Sequence, residues 1–194
     1  MITTKQIKQL RDSTGVSVMQ CKKALEEASG DAEKASIILR KQSSEIALKK
    51  SGRELGAGVI VSYIHAGCTV GAMVELACET DFVAKNEEFK KLAYDIAMHI
   101  AANSPEFLKS EDITDTDREK VRSVLSEEVE KTDKSKEMKE KILRGKLDAY
   151  FNEKTLLEQP FVKNTDVKVG TLINQAVQKF GEKTELTRFA RFAI

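Results

Sequence analysis

Two histidines and three cysteines are the side chains in this sequence best suited to nucleophilic or metal chemistry. Their spacing suits neither. Cys68 and Cys78 stand ten residues apart, and no combination of His65, His99 and the cysteines makes a metal-ligand pattern. A Cys78–His99 pair would be the one thiol nucleophile to consider. Cys78, however, closes an alternating apolar run whose inward side chains must be buried, and a thiolate there is unfavourable. His99 lies beside the apolar stripe of a helix and reads as a helix-face histidine near the core. Gly56-Ala57-Gly58 lacks both the spacing and the lysine of a phosphate-cradling loop. No carboxylate pair falls on a recognisable catalytic element. These residues point to a protein that works by binding rather than to an enzyme, with no cofactor and no resident metal.

Two features have the character of contact surfaces. Thr80-Asp81-Phe82-Val83 falls in the short connection between a strand ending at Cys78 and a helix capped by Asn86, and connections carry function out of proportion to their length. Phe82 has two places to go, outward to solvent or back into the core beside Phe89, and spacing leaves both open. Met19 lies next to the apolar stripe of its helix rather than in it. Methionine is an adaptable contact residue, although a partly exposed one commonly serves packing.

The elements around these residues follow from caps and periodicity. Thr3 with Gln6, and Ser17 with Gln20, have capping-box spacing. Ile7 and Leu10 mark the face of a first helix, and Val18, Cys21, Leu25 and Ala28 that of a second. Gly30 reads as a stop and Asp31 as the next N-cap, opening a third helix through Ala35, Ile38 and Leu39 towards Lys50. Residues 1–52 therefore form a three-helix bundle, with Ser51-Gly52 as linker. Val59–Ile64 is apolar on both faces, as a covered strand would be. His65-Ala66-Gly67-Cys68 is a hairpin turn, and Val70, Ala72, Val74, Leu76 and Cys78 bury one face of the returning strand. A helix follows through Phe89, Ala93, Ile96 and Ile100, and Pro105 closes that segment. Residues 109–154 are rich in charge of both signs and thin in apolar residues, the pattern of a helical pair with much solvated surface. A last helix, Val169 to Phe180, stops at Gly181, and Leu186–Ile194 is a strand that joins the same sheet. The fold class is α+β, with residues 53–194 as the second domain.

Composition removes other classes. Of 194 residues, 41% are hydrophobic, enough for a core, and 32% are charged, yet the net charge is only +1. Binding nucleic acid by counterion release needs a basic stripe, and base stacking needs aromatics; this chain has no Trp and few rings. Three widely spaced cysteines argue against a disulfide framework and for a reducing compartment. MITTKQIKQL has no apolar signal region, and no apolar run approaches the roughly 20 residues of a membrane span. A cytoplasmic protein with no membrane partner is expected.

Several segments together resemble a known family. LRDSTGVSVMQCKKALEEASGD (10–31) is similar to the N-terminal signature of bacterial-type elongation factor Ts, and LACETDFVAKNEEF (76–89) to its second signature. HIAANSPEF (99–107), LLEQPFVKN (156–164) and RFARF (188–192) are similar to further family segments, in order along essentially the whole chain. The resemblance implies a ubiquitin-associated-like bundle followed by an α+β dimerisation domain. It implies elongation factor Tu as partner and acceleration of GDP release as the activity. Matched by motif, Thr80, Asp81, Phe82 and Val83 correspond to the segment that disturbs the partner's Mg²⁺ site, and Arg11, Val18, Met19 and Lys22 to contacts with its nucleotide-binding domain. His65, in SYIHAG, matches a histidine that longer members carry in a second core repeat.

That match also marks a departure. This chain has one core unit bearing both TDFV and the hairpin histidine, so it resembles short members that act as homodimers, with His65 of one subunit working beside Asp81 and Phe82 of the other. Two other functions fit parts of the chain: the bundle alone suits a binder of a ubiquitin-like modifier, and a translation factor could bind RNA. The first leaves the second domain without a role, and the second is disfavoured by the charge balance. The charged pair at 109–154 reads as a partner-binding arm or a brace.

Overall fold

The computed structural model describes residues 2–194. Three capped helices come first. Thr3 accepts from the Gln6 backbone N–H while the Gln6 side chain takes the Thr3 N–H, opening α1 (Thr4–Thr14). Ser17 caps α2 (Val18–Glu27), and Asp31 accepts from the amides of Glu33 and Lys34 at the start of α3 (Ala32–Lys50). Leu10, Val16, Cys21, Ala24, Leu25, Ala28, Ala35 and Leu39 form the bundle core. Val18 is not among them. It is the first residue of α2 and stands half in solvent, and Val16, in the connection before the cap, fills the core instead.

The remaining elements run β1 (Ala57–Ile64), β2 (Val70–Cys78), α4 (Asp81–Ala84), α5 (Glu87–Asn103), α6 (Asp115–Glu130), α7 (Lys136–Lys154), β3 (Pro160–Phe161), β4 (Asn164–Lys168), α8 (Val169–Phe180) and β5 (Thr184–Ala193). The chain divides into two compact units, residues 1–101 with 170–194, and residues 102–169.

In the first unit a three-stranded antiparallel sheet has the order β1-β2-β5. The hairpin pairs Ala57 with Cys78 through to Ile64 with Gly71, and β5 pairs back from Val70–Ala193 to Cys78–Thr184 with an irregularity at Glu75/Leu76. Ala72, Val74, Leu76 and Cys78 face inward and are buried. Helix α5 covers this face. Tyr94 meets Tyr63 edge-on at 5.6 Å, and the Arg191 guanidinium donates to the Ala101 carbonyl. Phe89 meets Phe180 of α8 at 5.6 Å.

The expectation of a covered β1 fails on the other face. The strand alternates half-buried and exposed, and Ile60, Ile64, Met73 and Phe192 stand open on the outer side of the sheet. Among the described residues of this unit, α5 lies against the inner face through Tyr94 and Ala101 and leaves these four side chains exposed.

In the second unit α6 and α7 make the charged pair. Glu128–Lys146 and Glu130–Lys139 link the two helices, and Val129 and Phe151 are their buried residues. Arg118 lies over the Phe151 ring, 5.4 Å from its centroid. A short β3–β4 ribbon follows, where periodicity alone predicted no strand. Among the described residues no helix is long and apolar enough to cross a membrane.

Candidate functional site

Thr80 to Val83 are not a plain connection. Asp81–Ala84 close a single helical turn that leaves the open end of the hairpin, with Thr80 at its N-cap. The turn splits its side chains sharply. Val83 and Ala84 are buried, whereas Phe82 is 81% exposed. Of the two places open to Phe82 in the sequence, solvent is the one it takes. Phe89, its alternative neighbour, is fully buried and already occupied by Phe180. Anchoring by Val83 and Ala84 therefore turns an aromatic ring outward on a short, supported element.

Asp81 stands beside it in water, paired with Lys85 at 2.5 Å one turn on. The hydrogen bond from Lys85, then its charge, holds the Asp81 carboxyl below the usual carboxylate range. Both partners are mostly exposed, so the pair exchanges at little cost for a better one.

The root of the tip is tied to the turn between α8 and β5. The Thr80 backbone N–H donates to Glu182 Oε2 at 3.0 Å and its hydroxyl to Glu182 Oε1 at 2.6 Å. Glu79 in return accepts the Lys183 backbone N–H at 2.5 Å, and Arg53 Nη1 reaches both its oxygens at 3.2 Å. The Lys183 amide first, and Arg53 with it, hold the Glu79 carboxyl low. The Cys78 thiol lies 3.2 Å from the Thr80 carbonyl, and burial pushes it up, so it stays a neutral thiol. Sequence reading missed both glutamates. Glu182 lies 102 residues from Thr80, and only the pairing of β2 with β5 brings them together.

The bundle residues form a second exposed group. Met19 and Val18 open α2 at 76% and 52% exposure, and Lys22, one turn on, pairs loosely with Glu26 at 3.8 Å. Arg11 is exposed on α1, near enough for its charge to bear on the buried Cys21 thiol. Gly15 explains how this end of the bundle meets the core. It ends α1 at φ +68°, and a Cβ there would lie 3.0 Å from the Lys179 ammonium. Lys179 in turn reaches Glu88 of α5 at 2.8 Å, two residues past the Asn86 that follows the tip. Lys179 thus lies between the α1–α2 turn and the first turn of α5.

His65 is elsewhere. It sits in the β1–β2 turn, its Nδ1 3.0 Å from the Tyr63 hydroxyl. The tip leaves the opposite end of the same hairpin. Among the described residues no group of three or more His, Cys, Asp or Glu could hold a metal ion.

The result is an α+β protein whose candidate contact residues from the sequence lie on a one-turn helix, at one end of the helical bundle and in a hairpin turn. Comparison with known proteins supplies the family. The family model described as Elongation factor TS matches residues 5–194. Proteins named Elongation factor Ts are 47% identical in Koribacter versatilis, over all of this chain and 88% of that protein, and 45% identical in Thermosipho melanesiensis, over all of this chain and 99% of that one. In Thermodesulfovibrio yellowstonii the identity is 47%, over all of this chain and 96% of the relative. The chain belongs to the elongation factor Ts family and is a translation elongation factor.

Proposed function

We propose that this chain is a guanine-nucleotide exchange factor, not a catalyst of covalent change. It binds elongation factor Tu with GDP, disturbs the Mg²⁺ site and promotes GDP release so that GTP can enter. The observation that carries this reading is Phe82, an aromatic ring held in solvent by buried neighbours on the motif that the family resemblance assigns to that task.

The physics is that of linkage. A factor that binds the nucleotide-poor GTPase better than its GDP form must weaken GDP by the same factor. Burying a ring of this size is worth roughly 1.5–3 kcal/mol, and Phe82 holds that gain in reserve until a partner covers it. Mg²⁺ requires near-ideal octahedral geometry, so a small displacement of its ligands or waters loosens the nucleotide. Asp81 competes for polar partners near the ion once it leaves Lys85. Arg11, Val18, Met19 and Lys22 hold the nucleotide-binding domain while the tip works.

The active form is a homodimer. An open face bearing Ile60, Ile64, Met73 and Phe192 is the kind of surface that association covers. His65 of one subunit then works beside Asp81 and Phe82 of the other. The bulk cytoplasm is where such a factor meets its partner.

The test is release of a fluorescent GDP analogue from elongation factor Tu, followed with and without this protein. Acceleration at substoichiometric protein is expected, and an unchanged release rate overturns the reading.

A further inference from the structure

The backbone ladder between β2 and β5 ends at Cys78–Thr184. Continued in register, the next two pairs would be Glu79 with Lys183 and Thr80 with Glu182. Carboxylates replace the ladder there, each taking a backbone amide from the facing segment of the same chain: Glu182 takes that of Thr80, and Glu79 that of Lys183. The arrangement is reciprocal, and the two acids are flanked by Arg53 on Glu79 and by the Thr80 hydroxyl on Glu182.

This tether displaces an ordinary local bond. Thr80 is the N-cap of α4, where a threonine oxygen normally accepts an amide from the first turn. It makes no such bond, its hydroxyl donating to Glu182 instead. A local cap would steady α4 on itself; the tether steadies α4 against the sheet. Hydrogen bonds to a carboxylate are about twice as strong as neutral ones, and a group that must wedge into a partner needs a fixed base.

We propose that Glu182, with Glu79 as its counterpart, is a positioning residue that fixes the angle at which α4 presents Phe82. The proposal rests on the tip reading given above. Glu182 acts through Thr80 and need touch neither nucleotide nor partner. Removing it leaves Val83 and Ala84 to hold the turn in place, so the tip still forms but its angle spreads. Binding survives and the push on the partner weakens.

The experiment measures GDP release from elongation factor Tu over a range of exchange-factor concentrations, separating the rate at saturation from the half-saturating concentration. The proteins compared are the wild type, Glu182→Ala, Glu182→Gln, Phe82→Ala and the Phe82→Ala/Glu182→Ala double variant. Glu182→Ala lowers the saturating rate roughly tenfold, as loss of a charge-assisted contact used in the working state would. Its half-saturating concentration stays within about twofold. Glu182→Gln, which keeps an acceptor for the Thr80 amide, restores most of the rate. In the Phe82→Ala background Glu182→Ala has no further effect. Hydrogen exchange at the Thr80 amide, slow in the wild type, becomes fast in Glu182→Ala.

An equal loss from Glu182→Ala with and without Phe82 overturns the proposal, as does a full rate with a fast Thr80 amide. If Glu182→Ala does not fold, Thr80→Val removes only the hydroxyl arm and must reproduce the same split, or the proposal fails. Wild-type release by Phe82→Ala alone would sink the tip reading itself, an outcome distinct from failure of the tether.

Discussion

His65 and Phe82 stand at opposite ends of one β-hairpin. Eight cross-strand pairs, from Ile64–Gly71 beside the histidine to Ala57–Cys78 beside the tip, lie between them. At 3.2–3.4 Å per residue that is roughly 25 Å, too far for the two side chains of one subunit to meet on one contact. If both act at the same point on a partner, they must come from different subunits.

Complementation tests that directly. His65→Ala and Phe82→Ala, each alone, spoil both composite sites of a symmetric dimer. In a heterodimer of the two variants, one site keeps His65 from one chain and Phe82 from the other. Equal mixing gives half heterodimers with one good site of two, so about a quarter of wild-type exchange activity returns on mixing. Mixtures no more active than the separate variants would refute the shared site.

The tip itself should divide rate from affinity. Phe82→Ala and Asp81→Ala are expected to slow GDP release at saturation by roughly tenfold or more, while weakening binding to elongation factor Tu less. The contacts proposed for Arg11, Val18, Met19 and Lys22 are untouched in both variants. Stopped-flow release measured against titrated affinity separates the two quantities. Release rates equal to wild type would remove Asp81 and Phe82 from the mechanism.

The open sheet face makes a prediction about assembly. Met73 sits at its centre, on β2 between two strands, with Ala190 of β5 paired opposite. Met73→Asp places a charge where association would have to desolvate it, a cost of several kcal/mol per ion. The variant should sediment as a monomer and keep its circular dichroism, because Met73 is half exposed and outside the core. A wild-type protein that is a monomer and fully active in exchange would sink both the dimer and the shared site.

How much of this was legible beforehand depends on the range of the interactions. Thr3, Ser17 and Asp31 announce the three N-terminal helices because caps act within a few residues. Alternation from Val70 to Cys78 identified a strand with one buried face. Val18 misled, since helical spacing cannot tell whether the first residue of a helix or the residue before its cap, Val16, turns inward. Ile60 and Ile64 misled for a different reason. An apolar residue facing outward on a sheet looks the same in sequence whether the chain covers it or leaves it open. Phe82 was undecidable by spacing, because its exposure follows from the burial of Val83 and Ala84 and the prior claim of Phe180 on Phe89. The β3–β4 ribbon is two and five residues long, too short for periodicity to register. Glu79 and Glu182 carry no local sign at all.

Glu79 gives the last prediction, because its carboxyl is held below the usual range by the Lys183 amide and by Arg53. A group whose pKa is lower in the folded than in the unfolded chain stabilises the fold when ionised. Its contribution is complete above the ordinary glutamate value, about 4.3, and disappears as the pH falls through the depressed folded value. Glu79→Gln keeps the shape and removes the charge. Thermal unfolding should therefore find the variant less stable than wild type at neutral pH. The two curves should converge on acidification, below the ordinary carboxylate range rather than at it. Glu75, held low by Arg188 and Thr187, is unchanged in both proteins and cancels in the difference. A gap between the two that is as wide at pH 2 as at pH 7 would mean that Glu79 acts through shape alone and not through its charge.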